Sequence, residues 1–139
     1  MTLREKQSMF VRLGSRLIVE ATARGYELTF GETKRSDEQA IINALGPEGR
    51  EQVAQLVEAE FPDLAAALRN NGKARGIARS VHCDQLAVDL NLFCDGDYLE
   101  STAAHQPLGE WWEKQHTLCR WGGRFGDGNH YSLEHEGRR

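Results

Sequence analysis

The segment Ala87-Val88-Asp89-Leu90-Asn91-Leu92-Phe93 limits what this chain can become. Its strict alternation predicts a β-strand. In that register Val88, Leu90 and Leu92 share one face, and Ala87, Asp89, Asn91 and Phe93 share the other. The first face is apolar and belongs in a core. The second carries a carboxylate inside an apolar run, which is costly unless the charge is paired, hydrogen-bonded or bound to a metal. An imidazole, His82, precedes Asp89 by seven residues. The polar partner is read as a zinc ion, and the rest of the chain as its housing.

The flanking elements follow from periodicity and breakers. Residues 3–24 predict a core-packing helix, with Phe10, Leu13, Leu17 and Ala21 at helical spacing, Ile18 widening the stripe, and Gly25 as its stop. Tyr26 to Phe30 predict a strand whose apolar face is Tyr26, Leu28 and Phe30. Ser36 followed by Gln39 resembles a capping box, and it places Arg35 just past the strand end. Residues 37–45 and 48–69 read as helical, with an interruption at Pro62 and breakers at Gly46-Pro47 and Asn70-Asn71-Gly72. This region suits a lid or an insertion. Residues 72–79 form a basic loop with Lys73, Arg75 and Arg79, either simply solvated or steering an anionic substrate. The Asp95-Gly96 pair signals a turn into a return strand at Tyr98-Leu99. A polar stretch with Pro107 then precedes a helix over 108–119. Glycine-rich residues 121–128 lead to a short strand, His130 to Leu133, whose first residue sits at an edge, and the tail 134–139 is expected to fray.

Length fits one domain over residues 1–139, with one real core. The net charge of −4 gives no reason to expect nucleic acid as a partner, and no apolar run is long enough for stable membrane insertion. A monomer is expected. The N-terminus lacks the apolar core and cleavage site of a signal peptide, so synthesis in the cytoplasm without an export signal is expected. Cys83, Cys94 and Cys119 are odd in number and lack CxxC spacing, which argues for free thiols, with Cys94 and Cys119 packed. A Cys83–His82 nucleophilic pair is disfavoured, because adjacent strand side chains point to opposite faces. His105, His116 and His135 lie in polar contexts and read as surface residues. One of Trp111 and Trp112 is expected to anchor the core, and Trp121 to pack behind His130.

Catalytic zinc sites use three imidazole or carboxylate ligands and leave a position open. His82, Asp89 and His130 are candidates, and Asp127, three residues before His130, offers a carboxylate for proton transfer. Ser80-x-His82, Ala87-x-Asp89, Trp121-Gly122-Gly123 and Asp127-x-x-His130-Tyr131 together resemble the zinc D-Ala-D-Ala carboxypeptidase family, and more narrowly its L-alanyl-D-glutamate endopeptidase branch, which includes phage endolysins. The resemblance covers roughly residues 25–133. It implies zinc ligation by His82, Asp89 and His130, with Asp127 as general base and acid. It implies that Arg35 holds the substrate carbonyl or oxyanion, and that Ser80 supports the site by hydrogen bonding. The family's motif glycine is Gln85 here, so the loop between the first two ligands cannot take a positive φ cheaply.

The expected fold is α+β: a small antiparallel sheet carrying the zinc site, with helices packed on one face, as in hedgehog/D-Ala-D-Ala-peptidase-like domains. The expected activity is hydrolysis of an amide bond in peptidoglycan stem peptides by an endolysin-like enzyme. Such an enzyme would act at the cell wall and reach it through a membrane lesion made by another protein. The alternatives are a D-Ala-D-Ala carboxypeptidase or dipeptidase, a non-catalytic zinc-containing wall-binding or virion module, and a structural zinc domain that binds a protein.

Overall fold

The computed structural model describes all 139 residues. Helix α1 spans Leu3–Ala23, opened by a full capping box between Thr2 and Glu5, and buries Met9, Leu13, Leu17 and Ala21. Strand β1 (Glu27–Phe30) follows, then three short helices, α2 (Asp37–Ala44), α3 (Gly46–Val57) and α4 (Pro62–Asn70). Strands β2 (Ala87–Cys94) and β3 (Asp97–Tyr98) precede α5 (Thr102–Glu113), β4 (Cys119–Trp121), a 3-10 turn at Gly122–Phe125 and β5 (His130–Leu133). No helix is long and apolar enough to cross a membrane.

The sheet is antiparallel, in the order β1-β2-β5-β4, with β3 hairpinned onto the end of β2. Val88, Leu90 and Leu92 point from β2 into a core shared with α1, with Leu108 and Trp112 of α5, and with Cys119, Trp121, Tyr131 and Leu133. The fold is thus mixed α+β, a small antiparallel sheet with α1 and α5 against its apolar face. Helices α2 to α4 close a separate small cluster around Ala54, Ala65 and Leu68.

Several expectations are corrected. Phe30 is exposed rather than core-facing, because β1 lies at the sheet edge. The 48–69 helix is two helices, and Pro47 and Pro62 open helices instead of ending them, since a first-turn proline forfeits no helical hydrogen bond. Helix α5 starts at Thr102, well before Pro107, because the Ser101 hydroxyl accepts from the Ala104 N–H at 3.2 Å. The proline inside it forfeits one bond, and burial of His105, Leu108 and Trp112 offsets that loss. Strand β5 is interior, between β2 and β4. Residues 134–139 do not fray: His135 bridges to Arg138, whose guanidinium donates to Asp84. Cys94 is exposed, whereas Cys119 is buried, its thiol pushed up to about 12 by that burial.

His105 is also not a surface residue. It is buried, with Nδ1 at 3.0 Å from the Tyr131 hydroxyl and Nε2 at 3.2 Å from the Leu99 carbonyl oxygen. In this arrangement Nε2–H donates to Leu99 and Nδ1 accepts from Tyr131, which requires a neutral ring. Burial lowers its pKa, so the unfolded chain takes up the proton first as pH falls. The stability this contributes is complete above about pH 6.5 and is lost as pH drops through the lower folded value. The urea midpoint should therefore fall between pH 7.5 and pH 5, and by less in His105→Gln. An equal fall in both proteins would remove His105 as the cause.

Candidate metal centre

Three local structures bring the candidate ligands together. Asp89 of β2 and His130 of β5 are directly opposed cross-strand partners, so their side chains leave the same face side by side. His82 hangs from a tight turn in which Cys83 N–H donates to Ser80 O and Leu86 N–H to Val81 O. Val81, Leu86 and Ala87 root that turn in a small apolar cluster with Phe10. The chain re-enters β2 through Gln85 at φ +56. The turn thus keeps its left-handed residue even though glycine is absent, and the strain is accepted. Gln85→Gly should raise stability by about 0.5–1 kcal/mol, read from urea melts of the zinc-free protein. No gain would mean the Gln85 side chain supplies compensating contacts.

The resulting donor set is a near-equilateral triangle. His82 Nε2 lies 3.1 Å from His130 Nδ1 and 3.2 Å from Asp89 Oδ1, and His130 Nδ1 lies 3.1 Å from Asp89 Oδ1. Donors about 2.0–2.1 Å from a tetrahedral ion stand about 3.3 Å apart. A single proton on His82 Nε2 can point at only one of the other two atoms, so a shared cation satisfies the set better. With the converging nitrogens unprotonated, the ring protons sit on His82 Nδ1 and His130 Nε2, which are buried and have no protein partner. The cluster fits a metal ion, and both imidazoles are buried while Asp89 is half-buried. Before an ion binds, with protons on the converging nitrogens, burial pushes the Asp89 carboxyl up, but the hydrogen bonds then donated by His130 and His82 outweigh it and hold the group at about 2.

The triad sits at the floor of a cleft of about 380 Å³, walled by Arg35, Arg75, Gly76, Ile77, Ser80, Phe125, Asp127 and Arg139. Ser80 Oγ accepts from the His82 N–H at 3.2 Å, so it steadies the ligand through the backbone. Asp127 is placed by the turn after β4. Its N–H donates to Gly122 O at 2.9 Å, and its carbonyl accepts from the His130 N–H at 3.3 Å. A Cβ on Gly122 would fall 2.7 Å from His130 Cβ and against the Asp127 carbonyl, so only glycine lets this turn close. Trp121 locks it from behind, its Nε1–H donating to Gly128 O at 2.7 Å. Partial burial raises the Asp127 carboxyl above its ordinary range, His130 opposes this, the Asp89 charge adds to it, and His82 and Arg35 oppose it more weakly.

All six residues singled out from the sequence therefore line one cleft. No protein-family model matches the chain, and neither a curated protein nor a solved structure does.

Two contributors were not found by sequence reasoning. Glu32 grips Arg35, with Arg35 Nε donating to Glu32 Oε1 at 2.8 Å and Nη2 donating to Oε2. The acidic residue three positions before Arg35 was the available signal. Arg50 is buried, and its guanidinium donates to the carbonyls of Ile42, Gly72 and Ala74 at 2.8–3.2 Å. It thereby ties α3 to the loop carrying Arg75, Gly76 and Ile77, so part of the 46–79 region serves as a wall of the cleft.

Proposed function

We propose that the protein is a zinc metallopeptidase that hydrolyses an amide bond in peptidoglycan stem peptides, acting as an L-alanyl-D-glutamate endopeptidase of endolysin type. The observation that carries the proposal is the His82–Asp89–His130 triangle opening onto a polar cleft that also holds Asp127 and Arg35. A histidine–carboxylate set suits zinc. A zinc ion there would polarise an amide carbonyl and acidify water to a pKa of about 7.

The chain's own residues divide the remaining work. Asp127 lines the cleft with a carboxyl whose pKa partial burial raises, as suits a group that accepts a proton from attacking water and returns it to the leaving amine nitrogen. Arg35 commits Nε and Nη2 to Glu32, which leaves Nη1 to donate to the carbonyl oxygen as negative charge develops on it. Ser80 keeps His82 in place. Arg139 lines the cleft, as does Arg75, whose guanidinium is already paired with Glu48, so Arg139 is the cation left to favour a substrate carboxylate, a group that stem peptides carry.

Purified cell walls treated with metal-stripped and zinc-reloaded protein test this reading. Zinc-dependent release of peptides with a new amino group on glutamate, leaving L-alanine with a free carboxyl on the glycan, is the expected result. Release of terminal D-alanine instead assigns a carboxypeptidase. Full activity after stripping overturns the zinc mechanism.

A further inference from the structure

We propose that Glu32 is a positioning residue that holds the Arg35 guanidinium away from Asp89 and so keeps that carboxylate free for the metal ion. The inference rests on the triad being a zinc centre. Glu32 lies beside it, with Oε2 3.9 Å from His82 Nε2. Its backbone is fixed there, because Asp89 N–H donates to Glu32 O at 2.7 Å and Gly31 N–H donates to Asp89 O at 2.8 Å. The approach is close: a Cβ on Gly31 would sit 3.1 Å from Asp89 Cβ. Arg35 is tied to the same place, its N–H donating to His82 O at 3.4 Å.

The cation and the metal-binding carboxylate therefore share one small cleft, and both are mostly enclosed. A guanidinium in such a place seeks a carboxylate in a two-pronged pair. Glu32 provides that pair through both of its oxygens. Without it, the aspartates that line the same cleft are Asp89 and Asp127, and the Asp89 charge already acts on Arg35. Pairing with Asp89 would neutralise the one anionic donor of the triad and set Arg35 against the metal ion. The same clamp fixes which guanidinium nitrogen faces the cleft.

The test is a cycle of full-length proteins: wild type, Glu32→Gln, Arg35→Met and the double variant. Zinc affinity is measured by competition with a chromogenic chelator. Glu32→Gln should weaken zinc binding by about 10- to 100-fold, the range for loss of an outer-sphere partner. Arg35→Met should then recover at least about 10-fold more affinity in the Glu32→Gln background than in wild type, because the two residues act as one unit. Equal effects of Arg35→Met in both backgrounds would mean that Glu32 acts only through its charge, and the inference falls. Unchanged affinity in Glu32→Gln also ends it. Failure of wild type to bind zinc overturns the metal reading itself and is separately visible.

Discussion

Changing Asp127 to Asn is expected to lower kcat/KM on wall substrates by about 10²- to 10⁴-fold, the usual contribution of a positioned acid–base group. Zinc uptake and folding should survive. The fold uses only the backbone of Asp127, through its N–H to Gly122 and its carbonyl to His130. Its carboxylate makes no hydrogen bond to the protein and faces the cleft. The amide is close in size but cannot take a proton from water, so chemistry is lost while architecture stays. The loss should appear in kcat rather than KM. Zinc-loaded Asp127→Asn as active as wild type would place the base elsewhere. Wild type and variant that are equally inert, yet bind walls equally well, would favour a non-catalytic wall-binding module.

Replacing His82 or His130 with Ala should cost zinc itself. Apparent binding energies of about 10–16 kcal/mol for four-ligand sites amount to about 2.5–4 kcal/mol per ligand, or about 10²- to 10³-fold in affinity. Activity at limiting zinc should fall in step. The metal also contributes to stability, since free zinc at about 1,000 times its Kd adds about 4 kcal/mol to the folded state. Stripping zinc from wild type should accordingly lower Tm by roughly 10–20 °C. At that same zinc concentration the two alanine variants should keep at most about 1.4 kcal/mol of this stabilisation, a Tm shift of no more than about 7 °C. A zinc-dependent Tm shift as large as that of wild type in both variants would move the metal to other residues.

The sheet and its metal face were legible because β2 writes its orientation in period two. Asp89 among Val88, Leu90 and Leu92 could not be a casual surface charge, but its cross-strand pairing with His130 appears only in the fold, where β5 lies inside the sheet and not at an edge. What the sequence hid were long-range partners. His105 looks polar in its local context, and only the return of β5 brings Tyr131 to its ring. Arg50 gives no sign of burial, because its acceptors are backbone carbonyls without a sequence signature. Helix α5 starts at Thr102, ahead of the 108–119 expected after Pro107, because the Ser101 hydroxyl caps it. Gln85 shows the opposite case. The turn geometry is demanded by His82 and Asp89 meeting at one point, and the chain pays for a strained residue to obtain it.

Anomalous diffraction at the zinc edge, from crystals grown with the metal, addresses the central claim most directly. A single peak about 2.0–2.2 Å from His82 Nε2, Asp89 Oδ1 and His130 Nδ1, bordering the cleft that holds Asp127, is the predicted result. A peak at other residues, or none at this triangle under saturating zinc, would contradict it.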